Sequence, residues 1–321
     1  MPSTPNSPMT AAAADTGSAP RTHGWRWAPA WILTYVALWP APGYAEGVLV
    51  LGALAAIIHL ALSRFRGGTK LLSNPAWALT SVLFFAYWTP ELVSAIDAID
   101  PARALREAAV DLRYLPFLWL VAAAVAEPRG RRVTFTGLAV ILAIWTVDAL
   151  VQAATGNSPL FSGIDGIKHA ISGHGMCTPQ ELASVDRLSG VLGPCNLKLG
   201  PVLASLSPFL LFAGGRRLGT IGWLLAAAAL GVVLVLAGSR ASWITFAVAL
   251  ALSGWRLLGW KKLAGVFVFG AIAAAVLSTT VPQVRERIDR TTHVLTADVE
   301  GVDSALSGRA RIWSAAMCMV R

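Results

Sequence analysis

The chain has 321 residues, of which 55% are hydrophobic and only 13% carry a charge, far below the roughly 25% charged fraction of soluble domains. Its mean hydropathy of +0.61 excludes an ordinary soluble globule. The net charge of +9 does not indicate nucleic-acid binding, because no water-exposed domain is visible that would carry a basic face.

Residues 1–24 are rich in Ala, Ser, Thr and Pro and predict a disordered cytoplasmic tail. From residue 25 to residue 281, apolar runs alternate with short connectors rich in Arg, Gly and Pro, as expected for membrane-spanning helices of about 20 residues. The fold class predicted is therefore all-α, a polytopic transmembrane helical bundle with external loops. About nine spans are expected, near residues 25–40, 43–62, 75–95, 112–126, 133–153, 197–213, 218–237, 241–258 and 263–281. An amphipathic stretch from Pro101 is expected to continue the fourth span at the membrane surface.

The distribution of charge predicts the orientation, because short cytoplasmic connectors collect Lys and Arg. With the N-terminus in the cytoplasm, the cytoplasmic segments hold 13 basic and two acidic residues. The remainder of the chain holds 13 basic and 15 acidic residues, with no positive excess. The sequence therefore predicts a multi-pass protein of a bacterial inner membrane with a cytoplasmic N-terminus.

Two external segments are long, residues 155–196 and residues 282–321, and we interpret the second as the start of a large periplasmic segment. Loops of this length usually bind or catalyse something, so function is expected on the external side. Cys177 and Cys195 lie in the first segment. The sequence leaves open whether they form a disulfide or remain two free thiols.

Signatures of nucleotide binding, of hydrolases and of zinc proteases are missing from the sequence. Asp97 and Asp100 could hold a divalent cation at the membrane surface. More often such a pair marks a solvated helix start, with Asp100 capping the helix before Pro101. Neither a metal site nor a cofactor is predicted.

Three arginines are predicted to lie on the external side. Arg240 stands between two apolar spans in Gly238-Ser239-Arg240, where it could bind a ligand, snorkel to the interface or pair with Asp148. Arg187 opens Arg187-Leu188-Ser189-Gly190, which is followed by Gly193-Pro194-Cys195-Asn196, and Arg309 stands in Ser307-Gly308-Arg309. Guanidinium groups bind phosphate oxygens in a bidentate way, so three of them on one side suggest an anionic ligand such as a lipid-linked diphosphate.

These motifs, in this order and on this side of the membrane, resemble those of the O-antigen ligase family, which includes O-antigen polymerases and protein O-oligosaccharyltransferases. The resemblance implies an inverting, polyprenyl-diphosphate-dependent glycosyltransferase that needs no metal or nucleotide sugar. The implied function is that of an O-antigen ligase, which transfers a glycan from undecaprenyl diphosphate to the lipid A core at the periplasmic face. Arg187 and Arg240 would act as catalytic residues at the diphosphate, and Arg309, Ser239 and Asn196 would bind substrate.

The family's proposed catalytic histidine follows the Ser-Gly-Arg motif and precedes further spans, whereas this chain ends at Arg321. We therefore expect the chain to be the N-terminal part of a longer enzyme. An O-antigen polymerase or a protein O-oligosaccharyltransferase is the alternative within the class, and a secondary transporter is the alternative from another class. The expected partners are the lipid-linked glycan donor, the lipid A core and membrane lipids, but no nucleic acid.

Overall fold

The computed structural model describes residues 25–66, 70–178, 180–181, 187–268, 270 and 317–318, and no strand occurs among them. This part of the chain is helical, which confirms the all-α class. The helices are α1 (Ala28–Ala37), α2 (Pro42–Arg66), α3 (Asn74–Ile96), α4 (Pro101–Asp111), α5 (Tyr114–Ala126), α6 (Pro128–Thr155), α7 (Pro159–Ser172), α8 (Leu199–Ala237) and α9 (Arg240–Leu258). A 3-10 turn at Gly190–Leu192 precedes α8, and residues 260–268 are helical as well.

Local sequence explains where several helices begin and end. Proline occupies the first turn of α1, α3, α4, α6 and α7, where its missing N–H leaves no hydrogen bond unmade. Ser73, Asp100 and Ser158 cap the N-termini of α3, α4 and α7 through their side-chain oxygens. Left-handed Gly156, Gly173 and Gly238 end α6, α7 and α8.

The described residues hold six helical segments long and apolar enough to cross a membrane, so the predicted count of nine is not confirmed. The first predicted span, 25–40, contains only the 10-residue α1, which at 1.5 Å per residue covers about 15 Å of a hydrocarbon core about 30 Å thick. The fourth is part of a 26-residue apolar segment, Pro101–Ala126, which includes the amphipathic stretch. Of the ninth, 263–281, only residues 263–268 and 270 are described.

Helix α8 is a helical hairpin rather than one straight rod. Its 39 residues would reach about 58 Å if straight, yet a Cβ on Gly200 would lie 3.6 Å from the Cβ of Ala237, at the other end of the segment. The chain reverses around Gly219, which has non-helical dihedrals (φ 61°, ψ −144°). The fold-back agrees with the two separate spans predicted here, with the cytoplasmic turn at residues 214–217.

Close backbone contact holds the two limbs of this hairpin together. A Cβ on Gly214 would lie 2.6 Å from the carbonyl oxygen of Gly222, and a Cβ on Gly222 would lie 2.4 Å from that of Gly214. Only glycine fits at either position, because any side chain would have to push the opposing backbone away. The pair therefore sets the spacing of the limbs next to their turn.

The chain divides into two compact units, residues 1–250 and residues 251–321. In the first unit, α6 packs against α8 and α1, and α2 packs against α5. The buried core there includes Leu49, Leu71, Leu120, Leu142, Leu203, Leu230 and Trp223. Lipid-facing positions explain the many exposed apolar side chains of α2, α3 and α6.

The connectors between successive helices of the first unit lie alternately at its two ends. At one end, the ring of Trp25 lies 5.6 Å from that of His59, and a Cβ on Gly130 would lie 3.6 Å from Pro29. At the other end, Arg113 forms an ion pair with Glu46. We call this second end, which holds the 38–46 turn, the start of α5 and the 187–198 segment, the predicted external end. The charge pattern requires this same grouping of the connectors at two ends. The assignment of one end to the cytoplasm stays a prediction.

Candidate functional site

The two predicted motif segments lie side by side at the predicted external end. The backbone amide of Leu188 donates a hydrogen bond to the carbonyl oxygen of Leu236, with an N···O distance of 3.4 Å. Leu188 follows Arg187, whose side chain is exposed. Leu236 lies two residues before Gly238, the first residue of the Gly238-Ser239-Arg240 motif. The fold thus joins two motifs that lie about 50 positions apart in the sequence.

Gln152 of α6 anchors the segment that carries Arg187. Its side-chain oxygen accepts a hydrogen bond of 2.6 Å from the amide of Gly190, and its side-chain nitrogen donates to the hydroxyl of Ser189 over 3.3 Å. Ser189 is only 1% exposed. One amide side chain therefore satisfies two polar groups of the Arg-Leu-Ser-Gly motif, which fixes the motif against the end of a membrane helix.

The glycines of this segment have positive φ angles. Gly190 has φ 53°, and a Cβ added there would lie 3.1 Å from the side chain of Leu199. Gly193 has φ 76°, and its added Cβ would lie 2.1 Å from the ring of Phe161, inside the ring's van der Waals surface. Both positions therefore require glycine, because neither the dihedral nor the space suits a side chain.

Asp148 holds the start of α7 close to α6. The hydroxyl of Ser158 donates to one carboxylate oxygen of Asp148 over 2.6 Å, and the amide of Leu160 donates to the other over 2.9 Å. Asp148 lies seven residues before Thr155, the last residue of α6, which corresponds to about 10 Å along the helix. The chain after α6 consequently folds back along that helix, and both oxygens of Asp148 have partners within this fold-back.

A disulfide closes the loop between α6 and α8. Cys177 and Cys195 are bonded, with their Cα atoms 5.4 Å apart, which decides between the two possibilities that the sequence left open. The amide of Met176 donates to Asp165 of α7, and the ammonium of Lys168 donates to the carbonyl oxygen of Gly175 over 3.1 Å. The loop is thus tied both to α7 and to the segment that leads into α8.

The second motif begins helix α9. Arg240 is its first residue, and the side chain of Arg240 lies outside the described part. Ser239 packs against the start of α8, because a Cβ on Gly200 would lie 3.1 Å from the Cβ of Ser239 and 3.0 Å from the hydroxyl of Ser242. Ser242 is 1% exposed, and its hydroxyl has no hydrogen-bond partner in the part of the chain that the structure describes.

Asn196 lies next to this contact, just before α8. Its amide donates to the carbonyl oxygen of Gly193 over 3.1 Å, and its side-chain oxygen accepts from the amide of Lys198 over 3.3 Å. It lines two adjoining clefts of about 200 and 520 Å³. Arg309, the remaining predicted site residue, lies outside the described residues. Of the five site residues predicted, the fold therefore brings together the backbones of Arg187, Ser239, Arg240 and Asn196.

Of the acidic pair before α4, Asp100 has a structural role. The carboxylate of Asp100 accepts a hydrogen bond of 3.1 Å from the amide of Arg103 and so caps the helix. This is the helix-start interpretation of the pair. Among the described residues, no group of three or more His, Cys, Asp or Glu side chains is arranged to hold a metal ion.

Hydrogen bonds in the loop between α6 and α8 favour an ionised carboxylate at Glu181. The backbone amide and the hydroxyl of Thr178 both donate to this side chain, over 2.8 and 2.9 Å. These hydrogen bonds hold the pKa of Glu181 below its ordinary value, because they favour the charged form.

Sequence reasoning missed Gln152 as an anchor and considered Asp148 only as a partner for Arg240. A signal was present, since the two residues are four positions apart and therefore share one face at the end of an apolar helix. Polar side chains on one face near the end of a span usually have a partner from another segment. The sequence did not show that the partner is the loop that follows.

These features define the chain as a multi-pass, all-helical membrane protein with a structured loop at one end of its helices. Residues 224–321 match the family model for O-antigen ligase. The match agrees with the resemblance noted in the sequence: these residues are similar to the O-antigen ligase family. Neither a curated protein nor a solved structure matches the chain significantly. The family supports a glycosyltransferase-like membrane enzyme of the O-antigen ligase or polymerase type, which uses lipid-linked glycans.

Proposed function

We propose that the protein functions as an O-antigen ligase, transferring a glycan from undecaprenyl diphosphate to the lipid A core at the periplasmic face of the inner membrane. The observation that carries the proposal is the hydrogen bond between Leu188 and Leu236. It brings the Arg187 segment beside the start of α9. Helix α9 lies within residues 224–321, the region that the family model matches.

The chemistry of the leaving group explains why two arginines would meet here. When the bond between the anomeric carbon and the diphosphate oxygen breaks, its electron pair remains on the diphosphate, whose negative charge increases. Fixed guanidinium groups stabilise that charge most strongly in the transition state. The N-terminus of α9 adds the positive end of a 19-residue helix dipole.

Each predicted site residue has a place in this scheme. Arg187 and Arg240 bind the diphosphate, and Ser239 donates a hydrogen bond to it from the start of α9. Asn196 binds a sugar hydroxyl in the neighbouring cleft, and Arg309 adds a further positive charge. An acceptor hydroxyl attacks the anomeric carbon from the face opposite the diphosphate, so the configuration inverts. The same donor chemistry would serve an O-antigen polymerase, in which the acceptor is a growing glycan.

Arginine substitutions test the proposal in cells that lack their own ligase and produce a complete O-antigen donor. Arg187→Ala and Arg240→Ala should each reduce the attachment of polymer to the lipid A core by about 100- to 1,000-fold, the usual cost of removing one group that stabilises transition-state charge. Arg187→Lys should recover only part of the activity, because lysine cannot form the bidentate contact. Gel analysis of lipopolysaccharide measures attachment, and an epitope tag measures expression.

Arg103→Ala is the matched control, because Arg103 is an exposed arginine of the same unit that pairs with Glu107 within its own helix. It should leave attachment unchanged. Normal attachment in the Arg187 and Arg240 variants would contradict the proposal. Longer glycans that stay on the lipid carrier would instead indicate polymerase activity, and reporter fusions that place the 238–240 turn in the cytoplasm would exclude a periplasmic site.

A further inference from the structure

Two adjoining clefts at the predicted external end contain side chains that the diphosphate chemistry does not use. The smaller, of about 200 Å³, is lined by Tyr35, Trp39 and Glu46, among others. The larger, of about 520 Å³, lies within the size range of small-molecule sites and is lined by Tyr44 and Lys168, among others. Four residues line both clefts, namely Pro42, Leu192, Asn196 and Lys198.

The aromatic side chains suit the apolar faces of a sugar ring. The rings of Tyr35 and Trp39 lie 6.3 Å apart at an interplanar angle of 30°. Trp39 is 38% exposed and Tyr44 is 52% exposed, so both offer ring surface to a ligand. The face of an aromatic ring is negative and attracts the positively polarised C–H groups of a sugar, while the amide of Asn196 can bind hydroxyl groups.

The charges of the clefts favour an anionic ligand. Glu46 and Arg113 form an ion pair with an N···O distance of 2.7 Å, so they largely neutralise each other. Asp165 of α7 accepts the hydrogen bond from Met176. The ammonium groups of Lys168 and Lys198 give the larger cleft a positive charge, and Lys168 is held in place by the carbonyl oxygen of Gly175.

The clefts are continuous with the proposed diphosphate site. Asn196 and Gly200 are separated by one turn of chain, and Gly200 packs directly against Ser239. A sugar in the clefts would therefore lie beside the start of α9, where an acceptor hydroxyl has to approach the anomeric carbon. We infer that these clefts bind a negatively charged saccharide, the acidic or phosphorylated sugar of the acceptor. The acceptor role rests on the proposed function, whereas saccharide binding can be measured by itself.

The test uses the purified protein in nanodiscs and three probes, measured by calorimetry: hexagalacturonate as an anionic sugar, maltohexaose as a neutral sugar of the same length, and inorganic pyrophosphate. Hexagalacturonate should bind the unsubstituted protein at least fivefold more tightly than maltohexaose does. Trp39→Ala and Lys198→Gln should each weaken hexagalacturonate binding by about 5- to 30-fold without changing pyrophosphate binding. Arg187→Ala should weaken pyrophosphate binding without changing hexagalacturonate binding.

Trp77→Ala is the matched control, because Trp77 is 44% exposed and lines a different cavity between α2 and α3. It should bind all three probes like the unsubstituted protein. If thermal melting shows that Trp39→Ala is unfolded, Lys198→Gln decides, since Lys198 is an exposed surface residue.

The inference is overturned if hexagalacturonate does not bind, if maltohexaose binds equally well, or if the folded variants bind like the unsubstituted protein. The two proposals fail in different ways. Hexagalacturonate binding without pyrophosphate binding would leave the saccharide site standing and remove the diphosphate site. Acceptor KM values in the transfer assay then test the acceptor role, which requires Lys198→Gln to raise the KM for the acceptor and not for the donor.

Discussion

The clearest test of the site's architecture is Gln152→Leu, which keeps the approximate volume and helix propensity of the side chain but removes both of its hydrogen bonds. Each lost hydrogen bond costs about 1 kcal/mol, and leaving the amide of buried Gly190 without a partner adds to that cost. The free energy that holds the Arg187 segment against α6 should therefore fall by roughly 2–3 kcal/mol.

Hydrogen exchange measures this change at the group that loses its partner. A decrease of 2–3 kcal/mol corresponds to about 30- to 150-fold faster exchange at the Gly190 amide, and glycan transfer should fall while expression persists. Thr155→Val is the control, because the hydroxyl of Thr155 bonds only locally, to Val151 and Asn157. Unchanged exchange at Gly190 in Gln152→Leu would refute the role of Gln152 as an anchor.

Three further perturbations follow from the same loop. Gly193→Ala should destabilise the segment and reduce transfer, because its Cβ would overlap the ring of Phe161 at 2.1 Å. Gly163→Ala is the control, since a Cβ there meets nothing within 4 Å. Equal melting temperatures of the two variants would contradict the clash. Replacing Cys177 and Cys195 together by serine should lower the stability of the loop by about 3 kcal/mol. The rate of protease cleavage within residues 173–196 measures this loss of stability. The expectation fails if the cleavage rates are the same with and without the disulfide. The pKa of Glu181 is lowered from 4.5, so the contribution of this carboxylate to the stability of the Thr178 turn is present at neutral pH and is lost as the pH falls below 4.5. Hydrogen exchange at the Thr178 amide should therefore depend on pH, and Glu181→Gln should remove that dependence. An unchanged pH profile in Glu181→Gln would argue against the hydrogen bonds.

The turns and the helical class were predictable, because they depend on local sequence. The arginine-rich connector near Gly214 predicted a reversal, and Pro101 after Asp100 predicted a helix start, since both effects act within a few residues. The first span was predicted at residues 25–40, whereas α1 covers only Ala28–Ala37, because hydropathy counts apolar residues and does not determine where a helix ends.

The assembly of the site was only partly predictable. Three arginines on one side suggested an anion site, but the contact of Leu188 with Leu236 depends on how α8 folds back. The fold-back of α7 onto Asp148 depends likewise on a loop that has no pattern of its own. The pairing of Cys177 with Cys195 requires a distance between Cα atoms that spacing along the chain does not determine.

The position of the disulfide bears on the order in which the protein can assemble. Both cysteines precede Leu199, where α8 begins, so the bond joins only residues synthesised before the hairpin and before the Gly238-Ser239-Arg240 turn. In an oxidising compartment the loop can thus be covalently closed while the rest of the bundle is still being inserted. The hairpin inserted later would then place its Leu236 carbonyl against a surface that has already formed, so closure of one loop can precede assembly of the site.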